Sequence, residues 1–163
     1  FGVSAALAGC AIINYLRRHF PSISNTGAYL ITYVVFIVAD IVLENTIIRT
    51  TDAYAFPKTY APLTLFAGSL YQFPLYEAFC AGGVSLAFTI LRQSALDDPN
   101  GLSFVERGLL KFEPRWRTTL STLAVIGACG AFFIFIYHIP FNWLGMIGDS
   151  VVTPPSYLLP AAY

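Results

Sequence analysis

The sequence predicts an all-α fold, a polytopic transmembrane helical bundle with about four spanning helices in this chain. Charged residues make up only 11 % of the 163 residues, whereas soluble chains carry about 25 %. Hydrophobic residues reach 56 %, more apolar surface than a soluble core of this size can hide. These residues also gather into four long apolar stretches separated by polar turns. Lipid is therefore the medium in which the sequence predicts that this chain folds.

The apolar stretches fix the expected helices. A helix needs about 20 residues to cross roughly 30 Å of hydrocarbon. The third stretch is too long for one straight span, and Pro74 within it is expected to kink or break the helix. The expected result is a bent helix or a short interfacial piece that leads into it. The spans are expected near residues 1–16, 27–48, 63–91 and 118–139. Residues 1–143 thus form the predicted bundle.

The two ends of the chain carry their own expectations. The first stretch, 1–16, is short for a span, which predicts that further protein precedes Phe1. At the other end, residues 144–163 contain three prolines and are expected to form an irregular extracytoplasmic tail.

Basic residues predict the orientation in the membrane. Seven of the nine lysines and arginines fall in or beside two loops that four spans place on the same side. Arg49 and Lys58 are left on the opposite side. Because cytoplasmic loops are enriched in Lys and Arg, the arginine-rich side is expected to face the cytoplasm. The net charge is zero, so no basic field indicates nucleic acid as a partner.

Three acids fall within the expected spans at similar depth. Asp40 and Glu44 stand four residues apart, on one face of their helix. Glu77 lies in the outer part of the next span. Charged groups facing lipid are costly, so acids inside spans indicate a polar cavity between helices. Candidate substrate contacts around this cavity are Gln72, Tyr71, Tyr76, Asn45 and His138.

Other interpretations of these residues stay open. Asp40 and Glu44 could pair with Arg49, or with polar groups of missing helices, simply to fix helix packing. No metal-ligand spacing joins His138 to the acids, and no nucleotide or cofactor motif occurs, so neither a metal nor a cofactor is expected. The cysteines are far apart in apolar stretches and are interpreted as small membrane-embedded side chains; they are Cys10, Cys80 and Cys129.

Several segments together resemble the AveC-type spirocyclase family of bacterial membrane proteins. The segments are GCAIINYLRRHFP, VVFIVADIVLENTIIR, AYAFP, LFAGSLYQFPLYEAF and LDDPNGLSFVERG. The most specific elements are the Asp40–Glu44 pair, the run YQFPLYE that ends at Glu77, and the ERG that begins at Glu106. The resemblance extends roughly from residue 1 to residue 143 and corresponds to the C-terminal part of longer family chains.

The resemblance implies a membrane enzyme that closes a spiroketal on a polyketide, and some family members also dehydrate the product. On this basis Glu77 or Glu44 is expected to act as general acid and base, with Asp40 as the stabilising carboxylate. The expected partners are a hydrophobic small-molecule substrate, the lipid bilayer and a missing N-terminal half of the same protein. The alternatives are another lipid or isoprenoid cyclase or dehydratase, a proton-coupled transporter, and a structural membrane subunit.

Overall fold

The fold is a helical bundle, described here by a computed structural model that covers residues 2–51 and 53–153. The helices are α1 (Gly2–His19), α2 (Asn25–Thr51), α3 (Leu75–Leu96), α4 (Pro114–Phe132) and α5 (Ile139–Met146). A π-helical segment, Phe133–His138, joins α4 to α5, so that Pro114–Met146 is one long helix. The predicted all-α, membrane-type bundle is thereby confirmed.

Within the described residues, three helices are long and apolar enough to cross a membrane. They contain 27, 22 and 33 residues and span Asn25–Thr51, Leu75–Leu96 and Pro114–Met146. Helix α1 is not among them, because its last turn carries Arg17, Arg18 and His19. The structure therefore offers three candidate spans where the sequence predicts about four.

The expected span 63–91 is divided at Pro74. Residues before it form a 3₁₀ turn, Ala61–Leu63, and two short strands, and α3 begins only at Leu75. Proline lacks a backbone N–H and cannot donate within a helix, so a position just before the first turn suits it. Proline thus starts the helix here instead of bending it, and α3 runs on to Leu96.

A segment called the outer cap, after its predicted orientation, is formed by residues 53–74 together with 147–153 and lies at the end of the bundle where α2 ends and α3 begins. Strands β1 (Lys58–Thr59) and β4 (Ser150–Val151) pair antiparallel, as do β2 (Thr64–Leu65) and β3 (Phe73–Pro74). Strand β4 and the end of α5 give order to the beginning of the segment expected to be irregular, whereas residues 154–163 lie outside the described residues. Side chains of the cap, including Phe73, pack on Ile48 of α2 and Ala78 of α3.

Helix α3 lies at the centre of the bundle, and small residues let its neighbours approach it. Gly9 of α1 packs against Thr89 of α3. Two adjacent glycines of α3 meet different partners: Gly82 lies beside Ile37 and Tyr33 of α2, while Gly83 lies beside Ile136 of the π-helical segment. Glycines and other small residues allow close backbone contact between membrane helices. Helix α3 is therefore held between α2 and the π-helical segment, near the acids.

The opposite end of the bundle is closed by an ion pair. Both guanidinium nitrogens of Arg17 donate to the Asp97 carboxylate at 3.1 Å, which joins the end of α1 to the end of α3. Hydrogen bonds from Arg17, with some contribution from Gln93, hold the pKa of Asp97 below its ordinary value. This contact fixes which ends of the two helices lie together.

Candidate active site

The structure brings the three predicted acids together between α2 and α3. Asp40 and Glu44 lie half-buried on α2, and Glu77 is buried in the first turn of α3 with 5 % of its surface exposed. The carboxyl groups of Asp40 and Glu77 lie within hydrogen-bonding reach of each other, and Glu44 is a further acidic neighbour of both. The predicted convergence of the acids is therefore present in the fold.

The contact between Asp40 and Glu77 requires a proton. Two carboxylates cannot hydrogen-bond to each other unless one of them is protonated. Asp40 Oδ2 and Glu77 Oε2 are buried, and neither receives a hydrogen from an N–H or O–H group of the described residues. One proton shared by the pair would satisfy both groups and would remove the repulsion between them.

A tyrosine that the sequence analysis missed completes the cluster. The Tyr137 hydroxyl donates to Glu77 Oε1 at 2.8 Å, so Tyr137, Glu77 and Asp40 form one chain of polar groups. Tyr137 lies in the π-helical segment, and such wide turns inside α-helices occur often at functional sites. The signal available in the sequence was one hydroxyl in the apolar run FFIFIYHIP, which an interfacial aromatic residue explains equally well.

Arg49 does not neutralise the acids. Its guanidinium carbon lies 4.2 Å from the centre of the Phe66 ring and 5.9 Å from that of Tyr71. The ion pairs among the described residues join Arg17 to Asp97 and Arg115 to Glu113. The interpretation in which Asp40 and Glu44 only pair with Arg49 therefore has no support in the geometry.

Three of the five predicted substrate contacts form no hydrogen bond with the acids among the described residues; they are Gln72, Asn45 and His138. Gln72 is fully buried: its amide nitrogen donates to the Phe56 carbonyl at 2.6 Å, and Ser150 Oγ donates to its oxygen at 2.8 Å. The Asn45 amide donates to the carbonyl of Ile41, one turn back in α2. His138 is exposed. Gln72 thus holds the outer cap together and is not available to a ligand.

The two predicted tyrosines differ in environment. Tyr71 is 42 % exposed and lies on the cap beside Arg49. Tyr76 is buried, and its ring centre lies 5.6 Å from that of Phe141. Phe141 also stacks on Tyr137, with 5.5 Å between ring centres and 19° between planes. Tyr76 therefore belongs to the aromatic surroundings of the acid cluster, as does His138, whose ring centre lies 5.4 Å from that of Tyr137.

An aromatic layer separates this cluster from a cavity of about 550 Å³. Phe141 lines the cavity and also stacks on Tyr137, and Phe56 lies edge-on to Phe141 at 6.2 Å. The cavity is lined by Phe56, Pro57, Lys58, Phe141, Asn142, Gly145 and Met146. None of the three acids lines it, and Phe141 lies between the cavity and Tyr137.

Comparison with known protein families matches residues 1–162 to the family described as "Spirocyclase AveC-like". The chain belongs to this spirocyclase family. The match confirms the resemblance and extends it beyond residue 143, through most of the C-terminal segment. No curated protein and no solved structure matches the chain.

The structure separates the motifs that carry the likeness to the spirocyclase family. The Asp40–Glu44 pair and the run that ends at Glu77 meet at the acid cluster. The ERG segment lies elsewhere, in the loop between α3 and α4, where Glu106 is buried. Within the described residues, no group of three or more His, Cys, Asp or Glu side chains is arranged to hold a metal ion.

Proposed function

We propose that this protein is a membrane-embedded cyclase that closes a spiroketal on a hydrophobic, polyketide-like hydroxyketone. Its family membership supports a spirocyclase-type function in general. The observation that carries the specific proposal is the contact between Asp40 and Glu77, with Tyr137 bound to Glu77, inside an apolar bundle. A carboxyl pair of this kind can hold one proton, donate it to a substrate and later accept a proton from the substrate.

The reaction needs a proton donor, a base and negatively charged groups that stabilise the cationic intermediate. A ketone with two hydroxyl arms first closes to a hemiketal: the carbonyl oxygen receives the shared proton, and a carboxylate takes the proton of the attacking hydroxyl. Protonation of the hemiketal hydroxyl then breaks its C–O bond, and water leaves. The second hydroxyl attacks the resulting oxocarbenium ion, and its proton returns to the carboxylates. The net change is the loss of one water from the substrate.

The acids have distinct roles in this scheme. Glu77, placed between Tyr137 and Asp40, is the general acid and base. Asp40 holds the other end of the shared proton, and once that proton has left, both carboxylates face the cationic intermediate. Opposite charges attract strongly where water is excluded. Glu44, the third acidic neighbour, adds negative charge near the cationic intermediate and is the alternative proton acceptor.

The substrate would approach through the cavity beside Phe141. Its walls are largely aromatic and aliphatic, which suits a hydrophobic molecule that arrives from lipid. Rotation of Phe141 would join the cavity to Tyr137 and Glu77. The protein would act as a multi-pass protein of the cell membrane, with the acids in the outer half of the bilayer.

Substitution of the acids tests this function. In cells that carry the full-length gene, Glu77→Gln and Asp40→Asn should each lower spiroketal formation by about 100-fold or more, because general acid–base catalysis contributes 10²–10⁴-fold. Mass spectrometry should then detect a hydroxyketone heavier than the product by one water. Glu113→Gln is the matched control, since Glu113 is exposed and pairs with Arg115. Full turnover by both acid variants would refute the proposal.

Proton-coupled transport is the second candidate, because a carboxyl pair that shares a proton inside a membrane also serves as a proton relay. The two functions differ in the fate of the ligand. A cyclase releases a product that has lost one water, whereas a transporter delivers its ligand covalently unchanged and responds to the proton gradient. The same mass spectrometry, repeated with the gradient collapsed, distinguishes them.

A further inference from the structure

A second cavity lies at the opposite end of the bundle from the acid cluster. It measures about 490 Å³, within the range of small-molecule sites. It lies against α3, between α1 and α4. Its apolar walls are formed by Gly2, Val3, Ala6, Phe88, Leu91, Ala95, Val125 and Cys129, and its polar lining by Arg92, Ser103 and Glu106. The cavity therefore has the form of an apolar groove with a charged region.

Both carboxylate oxygens of Glu106 accept hydrogen bonds from serine residues. Its Oε2 accepts hydrogen bonds from the Ser103 backbone N–H, at 3.0 Å, and from the Ser103 hydroxyl, while the Ser121 hydroxyl donates to Oε1. Burial raises the pKa of Glu106, but these hydrogen bonds outweigh it and leave the pKa below its ordinary value. Glu106 thus remains ionised, with its charge held by two serines that join the loop to α4.

Arg92, in contrast, has no ion-pair or hydrogen-bond partner within the part of the chain that the structure describes. Its side chain is exposed at the cavity, and no acid or carbonyl of the described residues forms an ion pair or hydrogen bond with it. A guanidinium group beside an apolar groove suits a carboxylate or a phosphate, which it can bind with two parallel hydrogen bonds. Basic pockets between membrane helices on the cytoplasmic side bind anionic lipid head groups in the same way.

We propose that this second cavity, called the inner cavity from here on, binds a singly charged anionic amphiphile. The acyl chain lies along the apolar walls, and the head group binds Arg92. The most direct source is a phosphodiester lipid of the surrounding leaflet. The nearby Glu106 carboxylate disfavours a doubly charged head group, because the cavity carries one positive and one negative side chain. The site is separate from Asp40, Glu44 and Glu77, none of which lines it.

The test is thermal unfolding of the delipidated full-length protein in a neutral detergent. Added phosphatidylglycerol should raise the Tm by about 3 °C or more, since a ligand that binds only the folded state stabilises it. Phosphatidylcholine should raise it less. Arg92→Gln should lose the difference between the two lipids, whereas Arg18→Gln, which removes an exposed arginine that does not line the cavity, should keep it.

A blocked cavity supplies the second measurement. Ala6→Phe fills the space for the acyl chain and should abolish stabilisation by phosphatidylglycerol; Val125→Phe replaces it if the first variant does not fold. Stabilisation by oleate in place of phosphatidylglycerol, still lost in Arg92→Gln, would support the anionic site and identify a free fatty acid as its ligand. A phosphatidylglycerol effect that survives both Arg92→Gln and the blocking substitution would refute the proposal.

Discussion

At the scale of single residues, the proposed reaction depends on Glu77. Its carboxyl group is buried in the first turn of α3, a position where the helix N-terminus favours negative charge. Tyr137 donates to one oxygen, and Asp40 lies against the carboxyl group from α2. Each contact comes from a different helix, so the position of Glu77 reports on the packing of all three. Removal of either neighbour should therefore change how Glu77 handles its proton.

Tyr137→Phe tests this dependence. The variant keeps the ring that stacks on Phe141 but leaves Glu77 Oε1 without its donor. A hydrogen bond to a charged group contributes about 1.5–3 kcal/mol, so kcat for cyclisation should fall by roughly 10- to 100-fold. KM should change little, because Tyr137 would position Glu77 without binding the substrate. Steady-state kinetics on the purified protein gives both constants.

Tyr71→Phe is the control for this experiment. Tyr71 is exposed on the outer cap and lies near Arg49, away from Glu77. The loss of its hydroxyl should leave both constants close to those of the unaltered protein. Equal kcat values for Tyr137→Phe and Tyr71→Phe would show that the hydrogen bond to Glu77 has no part in the reaction.

At the scale of elements, α3 is the helix against which the others are positioned. Helix α2 packs against Gly82, and the π-helical segment packs against Gly83. Both glycines lie within two turns of Glu77. On another face, Gly9 allows α1 to approach Thr89. The three contacts use the absence of a side chain, which lets helix backbones come close in a membrane. These small residues allow the close approach of α1, α2 and the π-helical segment to α3.

Gly9→Ala should weaken the contact of α1 with α3. An added Cβ would lie 2.0 Å from Thr89 Oγ1 and 2.8 Å from Thr89 Cβ. Rotation of the threonine cannot remove the second clash, so the helices must move apart. Overpacking of this kind costs about 1–3 kcal/mol, which should lower the Tm by roughly 2–4 °C per kcal/mol. Thermal unfolding in detergent measures the change.

Gly127→Ala is the matched control within α4. Among the described residues, no heavy atom outside the local helix lies within 4 Å of the added Cβ. Alanine favours a helix over glycine by up to about 1 kcal/mol, so this variant should unfold at the same temperature or slightly higher. A Gly9→Ala protein as stable as Gly127→Ala would contradict the close approach of α1 to α3.

At the scale of the whole molecule, the two ends of the bundle differ in charge and in structure. Seven of the nine basic residues gather at the end closed by Arg17 and Asp97. The other end carries the outer cap, Arg49 and Lys58. The acids lie nearer the cap, and the cavity beside Arg92 lies nearer the basic end. If cytoplasmic loops carry the arginines, the proposed reaction and the proposed lipid site belong to opposite halves of the bilayer.

Cysteine labelling tests this orientation. In a background in which the three native cysteines are replaced, Leu70→Cys lies on the exposed surface of the cap and Asn100→Cys in the exposed turn after α3. A maleimide that cannot cross membranes should label Leu70→Cys in intact cells, and Asn100→Cys only after permeabilisation. The reverse pattern would overturn the orientation. Labelling of both sites in intact cells would overturn a placement across the membrane.

Much of this architecture could be predicted because lipid imposes a simple rule. Backbone groups in hydrocarbon must bond within their own helix, so the apolar stretches at 27–48 and 118–139 identified two of the helices. The cost of placing charge in lipid likewise singled out Asp40, Glu44 and Glu77. The start of α3 was harder to predict, because the residues before Pro74 are as apolar as those after it.

The sequence by itself determined the helical membrane class, the three acids and the family, because composition, length of apolar runs and motif order are local properties of the chain. Only the tertiary structure decided which polar groups meet. The Tyr137 hydroxyl binds Glu77, 60 positions away in the sequence. Gln72 lies only five residues before Glu77, yet it forms its hydrogen bonds within the cap. The tertiary structure also left Arg92, beside the inner cavity, without an ion-pair or hydrogen-bond partner among the described residues. Contacts between distant residues depend on how helices pack, and no local pattern records that packing.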